Sequence, residues 1–197
     1  MATCRELLNP ALFRCCQTTN KCDLSQEKNF LNLPLDKSHF ITGKYAFCGC
    51  ESLESIALPN GVTEIETSVF VNCRSLKSIT LPDRVTKIGF HAFGGCESLK
   101  SIVIPKGVTM IGQEAFTLSG LESVVIPEGV TEIGQEAFRS SGLESITIPK
   151  EVVKIRSDAF KCCPLKKVYY HGSPDEWSRI DMYQSDKREL NDKLVFV

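Results

Sequence analysis

Cysteine is the residue type with the most potential for chemistry in this sequence, because ten cysteines occur among 197 residues. One column places a cysteine or serine at a fixed distance after a phenylalanine: Cys50, Cys73, Cys96, Ser119, Ser141 and Cys163. Such a column requires a small, weakly polar side chain, and free cysteine is among the most buried residue types. The pattern therefore favours packing over chemistry at these positions.

The remaining cysteines lack the paired spacing of a structural zinc site; they are Cys4, Cys15, Cys16, Cys22, Cys48 and Cys162. A zinc or thiol-redox role for the four N-terminal cysteines stays open as an alternative. Otherwise we expect no metal site and no cofactor. Unpaired thiols fit a reducing compartment better than an oxidising one, although buried thiols also persist outside cells.

The histidines do not form a catalytic set. His39, His91 and His171 lie far apart in the sequence, and none is accompanied by a carboxylate pair that could orient a general base. The nucleophile motif G-x-S-x-G, the metalloprotease motif H-E-x-x-H and a phosphate-binding glycine loop are all missing from the sequence. We therefore predict that the protein is not an enzyme and has no catalytic residues.

The charge balance argues against nucleic acid and membrane partners. The sequence has 23 basic and 24 acidic residues, so no basic field attracts phosphates or an anionic membrane surface. The N-terminus lacks the continuous apolar core of a secretory signal, and no apolar run is long enough to span a bilayer. The sequence by itself thus indicates a cytoplasmic protein with no membrane insertion.

The chain contains an internal repeat. Pro59, Pro82, Pro105, Pro127 and Pro149 recur at intervals of 23, 23, 22 and 22 residues. Phenylalanine, leucine and isoleucine columns keep the same step, for example Phe70, Phe93, Phe116, Phe138 and Phe160. A fixed period of this length indicates stacked supersecondary units that contact only their neighbours. We count five full repeats and one degenerate repeat.

Each repeat contains two extended pieces. In "LESITIP", Leu143, Ile146 and Ile148 point inward and Thr147 points outward, which is the alternation of a short strand. A turn then leads into "VTEI", a second extended piece. The following "GQEAFRSSG" is too short for an independent helix, and we expect a single 3₁₀ or α turn there.

The columns L-x-x-I-x-I/L-P-x-x-V-T-x-I-x-x-x-A-F resemble the BspA-like leucine-rich repeats, also called the Treponema pallidum type, over roughly residues 41 to 165. The resemblance implies a leucine-rich-repeat solenoid: a β-rich right-handed coil with short strands and single helical turns. It also implies a binding function, often at microbial cell surfaces, and no catalytic residues. A microbial surface adhesin or secreted effector is thus one specific alternative.

Three regions are expected. Residues 1–40 would form an N-terminal cap segment with a degenerate repeat from about residue 30, residues 41–164 the repeats, and residues 165–197 an α/β cap. Ser173, Pro174 and Glu176 have the spacing of a helix start with a capping box. That helix would place Trp177 and Ile180 over the open end of the last coil.

Function in a solenoid depends on the outward side chains, and one outward column carries no charge. This column, which we call the stripe, consists of Thr80, Val103, Val125, Thr147 and Tyr169. It predicts a partner-binding face, although β-propensity alone could also account for it. The column Glu64, Lys87, Met110 and Glu132 on the second extended piece is interpreted as solvated.

The sequence thus predicts a non-catalytic, monomeric protein–protein interaction module that binds a protein partner through the stripe. A purely structural spacer and the N-terminal thiol or metal site remain alternatives of other classes. The pattern names neither the partner nor the cellular compartment, for which sequence and family analogy give different answers.

Overall fold

The computed structural model describes the strand Lys21–Asp23 and residues 43–197. Within these residues the strands are β1 (Lys21–Asp23), β2 (Ser55–Ala57), β3 (Glu64–Ile65), β4 (Ser78–Thr80), β5 (Lys87–Ile88), β6 (Met110–Ile111), β7 (Ser123–Val125), β8 (Glu132–Ile133), β9 (Ser145–Pro149), β10 (Lys154–Ile155), β11 (Lys167–His171) and β12 (Leu194–Phe196). The described helices are α1 (Pro174–Ser178) and α2 (Gln184–Asn191). The N-terminal cap and its degenerate repeat lie outside the described residues, apart from the backbone of β1.

Successive repeats stack as coils of a parallel β-solenoid. The first extended piece of each coil contributes to the first face, where the described strands have the orders β1-β2-β4 and β12-β11-β9-β7. The second piece builds the second face, in the order β10-β8-β6-β5-β3. The strand pairs of both faces are parallel, as expected when each coil repeats the path of the one before.

The first face is interrupted at the coil of residues 101–104, where the sequence predicts another strand. Among the described residues, the N–H and C=O groups of residues 101–104 form no hydrogen bonds with other backbone groups. The neighbouring strands β4 and β7 pair only with β2 and β9, respectively. The second face stays paired in the same region, where β6 pairs with both β5 and β8.

The core is a set of inward columns that run the length of the solenoid. The phenylalanine rings stack in order from coil to coil, with centroids 5.2 to 5.6 Å apart: Phe47, Phe70, Phe93, Phe116, Phe138 and Phe160. The leucine, isoleucine and valine columns beside them are also buried. The inward positions predicted from the repeat are therefore confirmed.

The segment around each phenylalanine differs from the expected helical turn. In every described coil, the residues two before and two after the phenylalanine have positive φ, such as Glu114 (φ 55°) and Leu118 (φ 56°) around Phe116. Alternate amides then point toward the next coil, where Glu114, Phe116 and Leu118 donate to the oxygens of Gln135, Ala137 and Arg139 at 2.7 to 2.9 Å. The turn is therefore a further ladder between coils.

The C-terminal segment covers the end of the last coil. At α1, the Ser173 hydroxyl accepts a hydrogen bond from the Glu176 amide and the Glu176 carboxylate accepts one from the Ser173 amide, which confirms the capping box. Trp177 is buried, packs edge-on against Tyr170 and donates its indole N–H to the Asn191 side chain. Ile180, although past the end of α1, is buried beside it.

Both faces are closed at this end. Strand β12 pairs with β11 on the first face, and the Ile155 amide donates to the Asp181 carbonyl on the second. The cap therefore satisfies the backbone edge that the final coil would otherwise expose. This arrangement agrees with the lid function that the sequence predicts for Trp177.

Phe116→Ala should remove a ring that stacks on both of its neighbours and leave a cavity between two coils. We expect a loss of about 3–5 kcal/mol in the free energy of unfolding. Because coils couple only to their neighbours, the melt should also broaden or become two-step. Thermal and urea denaturation test this. Val153→Ala, at an exposed apolar site, is the control, and an equal loss in both variants would contradict the column assignment.

Removal of all residues from Ser173 onward should expose the edge of β11 and the buried ring of Tyr170. We expect aggregation, measured by size-exclusion chromatography with light scattering. Trp177→Phe is the milder companion variant, because it keeps most of the packing and loses the hydrogen bond to Asn191. A truncated protein that stays monomeric and melts like the full chain would show that the segment is not a cap.

Candidate functional site

The stripe residues point away from the core. Val103 and Val125 are 84% and 65% exposed, Thr80 is exposed, and Thr147 and Tyr169 are half-buried. Strand register places Val125, Thr147 and Tyr169 side by side on neighbouring coils. The same register adds Val195 of β12, which the sequence analysis did not include. The outward orientation is therefore as predicted, and a binding role for these residues stays a prediction.

A column of charged side chains that precede the first-face strands runs beside the stripe, and its charges neutralise one another. Lys77 contacts Glu54 at 3.2 Å, Lys100 contacts Glu122 at 3.1 Å, and Lys166 contacts Glu144 at 2.8 Å. Such exposed pairs contribute little to stability, with a median of about 0–1 kcal/mol each. Their main effect is to leave the border of the stripe without a net field.

The second face carries a groove that the sequence analysis missed. Its floor is formed by Gly89, Gly112 and Gly134, and we call it the glycine groove. Its volume is about 460 Å³, within the range of small-ligand sites. Glycine is required here because the backbones approach closely: a methyl group on Gly112 would lie 2.7 Å from the carbonyl carbon of Gly89.

Two exposed apolar side chains line this groove. Phe90 is 41% exposed in a column that otherwise reads Thr67, Gln113, Gln135 and Ser157. Met110 is 37% exposed in the column that otherwise reads Glu64, Lys87, Glu132 and Lys154. Both residues are therefore departures from polar columns. That departure was the available sequence signal, but only the fold shows that the two side chains share one groove.

The cysteine column has a structural role. The thiols of Cys73, Cys96 and Cys163 donate to the carbonyl oxygens of Phe47, Phe70 and Phe138 at 2.9 to 3.2 Å. Burial raises the pKa of Cys73 and raises that of Cys96 to about 12. A thiol that stays protonated near neutral pH is a poor nucleophile and a poor metal ligand. The packing interpretation is thus supported at these positions.

Cys50 corrects the packing interpretation for one member of this column, because it is disulfide-bonded. Its partner falls outside the residues for which contacts are described. The alternative of a zinc or redox site formed by Cys4, Cys15, Cys16 and Cys22 concerns side chains outside the described part of the chain. Among the described residues, no three His, Cys, Asp or Glu side chains form a group that could bind a metal ion.

His91 and His171 lie apart in the structure as in the sequence. The His91 ring packs edge-on against Phe90, with ring centroids 5.7 Å apart, and its backbone has positive φ. His171 is exposed at the end of β11. His39 lies outside the described residues. In the same described region, no helix is both long and apolar enough to cross a membrane.

The stacked coils with leucine, isoleucine and phenylalanine columns define a leucine-rich-repeat solenoid. A family model described as the BspA type leucine rich repeat region matches residues 40–167 in six copies. The chain therefore belongs to the BspA-type leucine-rich repeat family, as the sequence columns predicted.

Solved structures similar to this chain come from bacteria. The T. pallidum leucine-rich repeat protein is 38% identical over 64% of this chain and 60% of its own length, with a TM-score of 0.62. A leucine-rich cell surface protein from Faecalibacterium prausnitzii is also 38% identical, over 65% of this chain and 35% of its own, with a TM-score of 0.61. The chain thus spans less than two thirds of either protein. Among curated proteins, none matches the chain.

The pneumococcal vaccine antigen PcpA shares the fold alone, since it is 20% identical over 73% of this chain and 40% of its own length, with a TM-score of 0.54. Of these three proteins, the one from F. prausnitzii is named as a cell surface protein. They name no bound partner.

Thiol reactivity should separate the cysteines by burial. With a negligible thiolate fraction at about pH 8, Cys73 and Cys96 should resist iodoacetamide in the native protein, whereas the exposed Cys162 should react. Peptide mapping by mass spectrometry after native and denatured labelling measures this. Equal native labelling of all three would contradict the buried column.

The free energy of unfolding should also fall as pH rises from about 9 toward 12, because the Cys96 thiol ionises in the unfolded chain before it can ionise in the folded one.

Proposed function

We propose that this chain is a non-catalytic protein-interaction module that binds a protein partner through the stripe. The observation that carries the proposal is the pair of exposed valines, Val103 and Val125, at the centre of an outward column without charge. β-branched residues are favoured on any pleated surface, so β-propensity by itself would also produce an uncharged outward column. The high exposure of these two apolar side chains, on successive coils, favours an interface.

The dimensions of the stripe suit a protein surface. Rungs of a β-solenoid lie about 4.8 Å apart, so five rungs give a strip roughly 20 Å long. A strip of this length suits part of a protein partner's surface, whereas small molecules bind in concave pockets. Tyr169, half-buried next to Thr147, is the expected anchor, because a rigid aromatic ring with a polar tip loses little entropy on docking.

A surface or secreted location is the second part of the proposal. The disulfide at Cys50 supports it, because disulfides persist in oxidising environments and are rare in the cytosol. The likeness to a leucine-rich cell surface protein of F. prausnitzii points the same way. An adhesin function follows as a specific form of the binding module, and cell fractionation of the source organism is the measurement that tests the location.

The double variant Val103→Glu with Val125→Glu should keep the fold, because both side chains already face water. It should weaken partner binding by more than about tenfold, since it places unpaired charge in the centre of the interface. The partner is first identified by pull-down and mass spectrometry, then purified. Its dissociation constant is measured by calorimetry, and the melting temperature of each variant is recorded.

The matched control is Thr63→Glu with Thr131→Glu, which adds the same charge at exposed sites outside the stripe. It should bind the partner like the unaltered protein. If the stripe variant binds normally while well folded, the binding face lies elsewhere. If both variants bind weakly, the effect is one of net charge and the stripe proposal is wrong.

A further inference from the structure

The glycine groove has two features that solenoid stacking does not explain. Stacking explains the glycines of the floor, since a side chain there would meet the backbone of the preceding coil. It does not explain why Phe90 and Met110, on neighbouring coils, expose apolar surface in columns that are otherwise polar or charged. Nor does it explain why both of these side chains line the same groove.

The charges of the groove are mostly paired. Arg156 contacts Glu132 at 2.6 Å, and Lys87 lies 3.9 Å from Glu64. Glu66 is different: it occupies the floor column where the next three coils have glycine, and among the described residues its carboxylate has no ion-pair partner. The groove therefore combines an apolar pair with one available negative charge, a coil away from Phe90.

We propose that the glycine groove is a second binding site, which takes a short peptide segment with an apolar side chain next to a lysine or arginine. The apolar side chain lies between Phe90 and Met110, and the flexible thioether lets Met110 adapt to its shape. The basic side chain reaches Glu66, passing the exposed face of the Phe90 ring, which attracts a cation. This site is separate from the stripe and does not depend on it.

The chemistry of the groove favours a peptide over a sugar. An oligosaccharide would use the flat ring of Phe90, but a neutral one brings no positive charge to Glu66 and no apolar side chain to Met110. An acidic ligand would meet Glu66 and the already paired Lys87 and Arg156. A volume of about 460 Å³ accommodates one or two side chains and the backbone between them, which sets the expected length of the recognised segment.

Methionine methyl NMR gives a direct readout, because the sequence has three methionines: Met1, Met110 and Met182. The full chain is labelled with carbon-13 at the methionine methyl groups. It is titrated with acetyl-Gly-Lys-Leu-Gly-amide, and with two peptides that replace the leucine by serine or the lysine by glutamate. We expect the Met110 signal to shift with the first peptide at millimolar concentration. Met182, half-buried in the cap, should not shift.

Variants that restore the column pattern test the role of each side chain. Phe90→Gln copies Gln113 and Gln135 of the following coils, so it should fold normally and weaken the Lys-Leu peptide by roughly fivefold or more. Glu66→Gln should reduce the preference for the lysine peptide over the glutamate peptide. The stripe variant Val103→Glu with Val125→Glu should bind the peptide normally, which separates the two sites.

The proposal is overturned if the Met110 methyl does not shift with the Lys-Leu peptide. It is also overturned if the serine peptide binds equally well, or if Phe90→Gln, shown to be folded by its melting temperature, leaves the affinity unchanged. Cellotetraose is titrated as the sugar probe. A Met110 shift with cellotetraose and none with the peptides would assign the groove to a glycan instead.

Discussion

The stacking of each coil on the next is the interaction on which the rest of this structure depends. The phenylalanine column and the backbone ladder of the second face continue from coil to coil, and the turns around the phenylalanines add another ladder. The ladder of the first face is present on both sides of its interruption at residues 101–104. One coil of 22 or 23 residues cannot bury its own apolar side chains, so its stability comes from its neighbours. The last coil has no following neighbour, and α1, Trp177 and β12 take that place.

This constraint also determines where binding can occur. Inward columns are fully used by packing, so variation is free only at outward positions. Along most outward columns, charges pair with their neighbours and leave little net field. The stripe and the glycine groove are two places where apolar side chains interrupt this pattern. The groove follows from stacking at Gly89, Gly112 and Gly134, because close backbone approach excludes side chains at these three positions.

The cysteines show how a reactive residue type becomes structural. A thiol in the buried column donates to a carbonyl of the preceding coil, and burial keeps it protonated. Serine occupies the same column at Ser119 and Ser141. The buried Ser119 hydroxyl has no hydrogen-bond partner among the described residues, so small size is the requirement that the column shares. Cys50 differs because it forms a disulfide, and no spacing in the sequence distinguishes it from Cys73 or Cys96.

The sequence by itself determined the coils, the inward columns, the outward stripe and the capping box at Ser173, because a repeated period assigns each residue type to a fixed side of the coil. Tertiary structure alone decided the left-handed turns, since residues as different as His91 and Glu136 adopt positive φ when the next coil supplies their hydrogen-bond partners. It also decided the interruption at residues 101–104 and the glycine groove. Both depend on the distance between backbone segments one repeat apart, and the order of residues in the sequence does not give that distance.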